Sequence, residues 1–167
     1  MIQTIHNYDS IEVLLRSLVA LDIDNTVIKF DTIDKNWWKD TKEKYEEDIA
    51  LEMWTERIKK SVAILIDEVS FQDLLQRIEN SESELIFITA RNESLHLYTM
   101  KHLEQVNLFS AIVYHNSEKG QTLLNVYQTK YSHLQHIIFV DDMMDNVVDV
   151  QDKVPNAKCY LLEHEKL

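Results

Sequence analysis

This chain of 167 residues contains only one glycine and only one proline. At ordinary usage of about 7% and 5%, roughly 20 of the two together would be expected. Glycine-fingerprint nucleotide loops such as GxGxxG and GxxxxGK[ST] cannot be written with a single glycine, so these loops are excluded. A turn-rich β-sandwich is disfavoured as well, since its hairpins rely on glycine for positive φ angles. Helix-rich architecture is therefore favoured.

The net charge of −12 limits the partners that the chain can bind. Neutralising the phosphates of a nucleic acid or an anionic bilayer takes an excess of Lys and Arg, so we expect neither nucleic acid nor membrane as a partner. A small phosphorylated ligand stays open, because it needs only one locally positive pocket. The N-terminus lacks the basic and apolar segments of a signal peptide, and no apolar run approaches the roughly 18 residues that span a bilayer. We therefore expect a soluble, cytoplasmic protein.

Short apolar runs alternate with helical patterns along the chain. The runs predicted to be buried strands are residues 18–23, 85–88, 111–114, 137–140 and 157–162. Before the first run, Asp9 or Ser10 is placed to cap a further helix. Apolar strands separated by helices indicate an α/β fold, with a Rossmann-like parallel sheet covered by helices on both faces. The length predicts that residues 1–167 form a single domain.

Residues 31–68 interrupt this rhythm, because the segment is too long for a simple crossover. Its helical periodicity predicts one long helix with a short lead-in. The apolar stripe of that helix would consist of Tyr45, Ile49, Met53, Ile58, Val62 and Leu65. Trp37 and Trp38 precede the stripe and are adjacent, so they cannot both face one core. One of them is expected to project away from the core, over the functional site.

Polar side chains follow the ends of four predicted strands. They are Asp22 and Asp24 after the first, Thr89 after the second, Lys119 after the third, and Asp141 and Asp142 after the fourth. Ligands of open parallel sheets bind outside the carboxyl ends of the strands. These side chains are therefore expected to meet in one site.

The chemistry of such a set follows from its charges. Several carboxylates that converge on one point repel each other and call for a hard divalent cation, of which Mg²⁺ suits oxygen ligands and phosphate. An aspartate beside the metal can attack phosphorus, and a second acid two residues further on can protonate the leaving group and later activate water. A threonine hydroxyl and a lysine can hold the phosphoryl oxygens.

This order of residues resembles the haloacid dehalogenase (HAD) superfamily of phosphohydrolases, and in particular its small bacterial members. The first motif corresponds to "DIDNT", the second to Thr89, the third to Lys119 and the fourth to "VDDMMDN". The resemblance implies that Asp22 is the nucleophile and Asp24 the general acid/base, and that Thr89 and Lys119 hold the phosphoryl group. A second aspartate at the place of Asp24 favours a phosphatase within that family.

The resemblance also implies a magnesium site and its supporting residues. Mg²⁺ would be held by the carboxylates of Asp22 and Asp142 and by the backbone carbonyl of Asp24. Asp141 would orient Lys119 rather than bind the metal. Asn146 occupies the place where many relatives carry a further aspartate, which makes it a candidate supporting residue.

In HAD relatives an insertion after the first strand forms a cap over the site, and residues 31–68 correspond to a small cap of this kind (C1-type). Because it is small, we expect either an open site or one covered by the second subunit of a homodimer. The specificity candidates are Asp31, Asp34, Trp37 and Trp38. Arg91 is a further candidate for contact with the substrate, and pairing with an acidic side chain is the alternative.

The expected function is therefore that of a Mg²⁺-dependent phosphatase that hydrolyses a small phosphomonoester through an aspartyl-phosphate. Two rivals remain at this point. A signalling receiver domain also uses aspartates, a hydroxyl and a lysine, but its lysine lies on the last strand, after the hydroxyl. Here Lys119 precedes the acidic pair Asp141 and Asp142, which disfavours this alternative. A HAD fold retained as a protein-binding or regulatory module, with weak or no catalysis, is the other.

Overall fold

The computed structural model describes residues 1–164, with Lys35 by its backbone alone. The last three residues of the domain predicted over 1–167 lie outside the described part. The strands are β1 (Ile2–Ile5), β2 (Ser17–Leu21), β3 (Ile28–Phe30), β4 (Ala63–Leu65), β5 (Glu84–Thr89), β6 (Val113–His115), β7 (His136–Asp141) and β8 (Lys158–Leu162). The α-helices are α1 (Lys35–Lys44), α2 (Glu47–Ile58), α3 (Glu68–Asn80), α4 (His96–Gln105), α5 (Lys119–Val126) and α6 (Met144–Lys153).

Six strands form one sheet in the order β1-β8-β7-β2-β5-β6. All five pairings in this sheet are parallel. The predicted α/β fold with a parallel sheet is confirmed. β2 lies between β7 and β5, so the strand order reverses at the centre of the sheet, where ligands of such folds bind.

Both faces of the sheet are buried, as the continuous apolar runs predict. Along β2, Val19 and Leu21 belong to one core cluster, and Leu18 and Ala20 to the other. This alternation is the two-residue period of a strand, and it places α3 and α4 on the first face and α5 and α6 on the second. Within the described chain, each helix is too short or too polar to cross a bilayer.

The segment before β2 differs from the prediction. The helix predicted to begin at Asp9 or Ser10 does not form; the chain makes one 3₁₀ turn at Tyr8–Ser10 and then, after an irregular stretch, a turn at residues 15–16 that leads into β2. The carbonyl groups of Tyr8 and Ile11 accept hydrogen bonds from the Arg77 guanidinium on α3. These contacts satisfy the backbone without a helix. Residues 2–5, for which no strand was predicted, form β1 at the edge of the sheet.

The insertion also differs from the prediction of one long helix. It holds two helices, α1 and α2, which separate at Tyr45, where the backbone is extended (φ −128°, ψ 158°). The antiparallel pair β3–β4 ties the two ends of the insertion together. Of the predicted stripe, Tyr45, Ile49 and Met53 remain exposed. Ile58 is the member of that stripe that α2 buries, and it shares the packing face with Ala50.

Candidate active site

A cavity of about 940 Å³ opens at the carboxyl ends of the central strands. Its floor is made by side chains that follow β2, β5 and β7, and its far wall by β3, β4 and the insertion helices. The sequence-predicted residues that line it are Asp22, Asp24, Asp31, Asp34, Trp38, Thr89, Arg91, Lys119, Asp142 and Asn146. The tertiary structure therefore brings residues that are up to 124 positions apart in the chain, Asp22 and Asn146, to one cavity.

Lys119 joins two of the carboxylates. Its Nζ donates to Asp22 Oδ1 at 2.6 Å and to Asp141 Oδ2 at 2.8 Å. Burial on its own would lower the pKa of Lys119, but the charges of Asp22 and Asp141 outweigh burial and raise the pKa above its ordinary value. The lysine is therefore a fixed positive charge beside Asp22.

Asp141 lies behind Lys119 and is fully buried. Its Oδ2 also accepts from Asn146 Nδ2 at 3.1 Å, and its Oδ1 accepts from the backbone N–H of Met143 at 2.9 Å. Both oxygens of Asp141 thus already have donors, which matches a carboxylate that orients its neighbours. Asn146 is linked to Lys119 through Asp141, because both donate to the same carboxylate oxygen.

The loop after β2 supplies a hydroxyl that was not among the predicted site residues. Thr26 Oγ1 donates to Asp22 Oδ2 at 2.8 Å and lies 3.3 Å from Asp142 Oδ1. The loop closes tightly because the N–H groups of residues 26–28 all donate to the Ile23 carbonyl. Asn25 takes a left-handed conformation there (φ 60°), which asparagine tolerates better than most residues. Thr26 is the last residue of the "DIDNT" motif, so the motif itself could have identified Thr26 as a site residue.

Three carboxylates lie close enough to share a divalent cation. One oxygen from each of Asp22, Asp141 and Asp142 lies within 4.8 Å of the other two. Burial, together with the charges of Asp22 and Asp141, raises the pKa of Asp142 to about 9. Burial and the charge of Asp22 likewise raise the pKa of Asp141 to about 6. This crowding of like charges is the condition that a hard cation relieves, and an all-carboxylate donor set fits Mg²⁺.

Asp24 points away from this group and pairs with Arg91. The guanidinium makes a two-point contact with the carboxylate, through Nε at 2.8 Å and Nη2 at 2.7 Å. The Arg91 side chain is 1% exposed. Arg91 therefore lies at the cavity, as predicted, but its fork is committed to Asp24 rather than open to an incoming anion.

The remaining nitrogen of Arg91 is held from behind by His102. Nη1 lies 3.0 Å from His102 Nδ1, and because an arginine nitrogen can only donate, Nδ1 must accept. The proton of the neutral ring is then on Nε2, which donates to the carbonyl of Ile58 at 2.9 Å. Burial, followed by the charge of Arg91, lowers the pKa of His102 to about 4. Nothing in the sequence marked His102, since its partners are distant in the chain.

Two aromatic rings enclose the Arg91 guanidinium. Its carbon lies 5.8 Å from the ring centre of Phe30 and 5.6 Å from that of Trp54. Trp54 also lines the cavity. Trp38 lines it too, whereas Trp37 does not; Trp37 stacks on Trp38 and lies under Arg57.

Thr89 occupies the end of β5 on the cavity floor. Its side chain is buried, and Oγ1 accepts the backbone N–H of Arg91 at 3.1 Å. A hydroxyl that accepts one hydrogen bond still has its own proton to donate. That proton can serve an oxygen of a ligand placed between Thr89 and Asp22.

No protein-family model and no curated protein matches this chain. Solved structures do match it. A chain in the structure of the Pnkp1/Rnl/Hen1 complex superposes with a TM-score of 0.53 at 12% identity, over 97% of this chain and 51% of that chain. This chain thus spans about half the length of that one.

The HAD domain of the effector protein Lem4 from Legionella pneumophila superposes with a TM-score of 0.52 at 13% identity. The match covers 92% of this chain and 88% of that domain. At such identities the likeness concerns the fold alone. The fold of this chain is the α/β fold seen in a HAD domain.

Proposed function

We propose that this protein is a Mg²⁺-dependent phosphatase of the HAD type, acting on a phosphomonoester through an aspartyl-phosphate on Asp22. The observation that carries the proposal is the setting of Asp22, which is 6% exposed, opens onto the cavity and is held by Lys119 and Thr26. A carboxylate fixed by one hydroxyl and by one buried, positively charged lysine is suited to attack a phosphorus atom.

The chemistry divides into two displacements. An oxygen of Asp22 attacks phosphorus, the bond to the leaving oxygen breaks, and a proton passes from Asp24 to that oxygen. Water then attacks the same phosphorus and gives a proton to Asp24, and the bond to Asp22 breaks to release phosphate. Thr89 and Lys119, which line the cavity with Asp22, would hold the phosphoryl oxygens in both steps.

Asp22 and Asp142 would hold Mg²⁺, together with the backbone carbonyl of Asp24. Each oxygen of Asp22 accepts one hydrogen bond and retains a lone pair, so the contacts of Lys119 and Thr26 leave room for a cation. When bound, the cation would neutralise charge on the phosphoryl group and on the carboxylates.

Arg91 acts in this proposal through Asp24 rather than on the substrate. Its two-point contact fixes the plane of the Asp24 carboxylate at the cavity wall. Asp24 is 23% exposed on its side chain, so it can still meet a leaving group and water.

Turnover of p-nitrophenyl phosphate with Mg²⁺ tests the proposal. We expect Asp22→Asn to lower kcat by at least about 10³-fold, because the attacking group is lost. Asp24→Asn should lower it by about 10²–10⁴-fold and leave a phosphoryl adduct on Asp22, detectable by intact mass. Asp152→Asn, an exposed acid on α6, is the matched control and should turn over as the unmodified protein does.

Two outcomes would overturn the proposal. Activity that survives in Asp22→Asn would remove Asp22 as the nucleophile. Absence of Mg²⁺-dependent activity on a broad panel of phosphoesters would favour the other reading, a HAD fold that serves as a protein-binding or regulatory module.

A further inference from the structure

The cavity has two chemically different halves. The floor holds the carboxylates, Lys119 and Thr89, and the opposite wall is apolar. That wall is formed by Phe30, Ile33, Trp38, Leu51, Trp54 and Ile64. All six come from β3, β4 and the insertion, so the insertion determines the surface that faces whatever is attached to the phosphoryl group.

Part of the apolar wall is exposed to the cavity, whereas Phe30 belongs to the buried core. Leu51 is 53% exposed and Ile64 is 41% exposed, and both line the cavity. A phosphoryl group alone would fill a small part of about 940 Å³. Apolar side chains left open in a concave site gain from an apolar ligand that removes them from water.

The charges around the cavity disfavour a second anionic group. Of the three cationic side chains that line it within residues 1–164, Lys119 is paired with Asp22 and Asp141, and Arg91 with Asp24. Lys29 is the third. Two exposed carboxylates, Asp31 and Asp34, lie along the same lining. A leaving group that carries a second phosphate or a carboxylate would therefore meet net negative charge.

We infer that the substrate of this site is a phosphomonoester whose leaving group is uncharged and carries an aromatic ring, rather than a sugar phosphate or a nucleotide. The inference rests on the proposed phosphatase function. The rings of Trp38 and Trp54 offer aromatic surface, and Leu51 and Ile64 offer aliphatic surface. Offset or edge-on contacts between rings add to the gain from area alone.

Two alkyl esters of similar leaving-group chemistry separate recognition from intrinsic reactivity. We expect kcat/KM for benzyl phosphate to exceed that for ethyl phosphate by at least about tenfold. One additional methylene of a substrate in an apolar pocket already raises kcat/KM by about that factor, and a phenyl ring is larger. Glycerol 3-phosphate and glucose 6-phosphate should be poorer than benzyl phosphate. Comparable values for all four esters would overturn the inference.

Variants of the wall locate the effect. Leu51→Ala should lower kcat/KM for benzyl phosphate by about tenfold and that for ethyl phosphate by less than about threefold, because Leu51 lines the apolar wall and makes none of the contacts that hold Arg91 and Asp24. Ile64→Ala, at another exposed position of the wall, repeats the test should Leu51→Ala fail to fold. Met53→Ala is the control, since Met53 is also exposed on α2 but does not line the cavity. An equal loss for both esters would contradict the inference.

Binding of phosphonates distinguishes this inference from the proposed function. Benzylphosphonate should bind the unmodified protein at least about tenfold more tightly than methylphosphonate by calorimetry, with Mg²⁺ present. Tighter binding of benzylphosphonate, without turnover of any phosphoester, would support a site for aromatic ligands and refute the proposed phosphatase function. Turnover that depends on Asp22, with equal binding of the two phosphonates, would support the phosphatase and refute the aromatic site.

Discussion

At the scale of single residues, His102 connects the insertion to the catalytic acid proposed here. Its ring bridges the Ile58 carbonyl at the end of α2 and the guanidinium of Arg91, which in turn holds Asp24. The ring can make both contacts only when it is neutral, with the proton on Nε2. A protonated ring would present a second donor, and a second positive charge, to Arg91.

This arrangement predicts a pH-dependent stability. The pKa of His102 is lowered from 6.5 to about 4 by folding. Between these values the unfolded chain binds a proton that the folded chain does not, so stability is full above about pH 6.5 and is lost as the pH falls toward 4. His102→Asn should cost about 1–2 kcal/mol at pH 7.5, through lost hydrogen bonds, and clearly less at pH 5.

Urea unfolding in EDTA, at pH 7.5 and pH 5, measures both differences. His133→Asn is the control, because His133 is exposed and its side chain makes neither of these contacts. A gap between the unmodified protein and His102→Asn that is the same at both pH values would show that the ring is not held neutral.

At the scale of elements, the one glycine of the chain stands where two helices come closest. A Cβ atom on Gly120 would lie 2.7 Å from the backbone carbonyl oxygen of Asp149 on α6. The Gly120 N–H donates to the Asp149 carboxylate at 2.8 Å. The φ angle of Gly120 is not positive, so what this position requires is the space that a missing Cβ atom leaves.

Gly120→Ala should therefore destabilise the protein by about 1–3 kcal/mol, as overpacking does, even though alanine is the better helix former. Because α5 begins at Lys119, its displacement should also lower kcat on p-nitrophenyl phosphate. Urea unfolding and turnover test these effects, with Gln121→Ala on the exposed side of α5 as the control. Unchanged stability in Gly120→Ala would mean that α5 and α6 can separate without cost.

At the scale of the whole molecule, the carboxylates of the site are a source of strain on the sheet. Asp22 follows β2, and Asp141 and Asp142 belong to β7 and its end, so the repulsion acts between two central strands. Burial in the first place, and the charge of Asp22 in the second, raise the pKa values of Asp141 and Asp142. A cation bound there would stabilise the folded chain as a whole, because the unfolded chain has no such site.

We expect 10-fold excess of Mg²⁺ over its Kd to raise the stability by roughly 1.4 kcal/mol, from RT ln(1 + [L]/Kd). Asp142→Asn should abolish this gain and should itself stabilise the metal-free protein at neutral pH. The reason is that the folded chain must keep the Asp142 carboxyl protonated at this pH, which costs free energy that an asparagine does not cost. Thermal unfolding with and without Mg²⁺ measures both effects. An equal Mg²⁺ response in Asp142→Asn would place the cation elsewhere, and Asp152→Asn is the control that should respond as the unmodified protein does.

The accuracy of the sequence predictions varied with the range of the interactions. The buried strands of the central sheet were predicted, because short, continuous apolar runs that alternate with helices are typical of a parallel sheet buried on both faces. The helix expected before β2 was wrong, since Arg77 on α3 takes the carbonyls of that segment. The single long helix of the insertion was wrong as well, because Tyr45 breaks it without a glycine or proline to signal the break.

The sequence by itself determined that carboxylates, a hydroxyl and a lysine meet at one edge of a parallel sheet. This follows because strand ends of a parallel sheet converge whatever the details of packing. Only the tertiary structure decided that Arg91 is committed to Asp24, that His102 stands behind it, and that Trp38 and Trp54 rather than Trp37 line the cavity. Those contacts depend on how the insertion packs against the sheet. This packing joins residues that are distant in the chain, and a local sequence pattern does not predict such contacts.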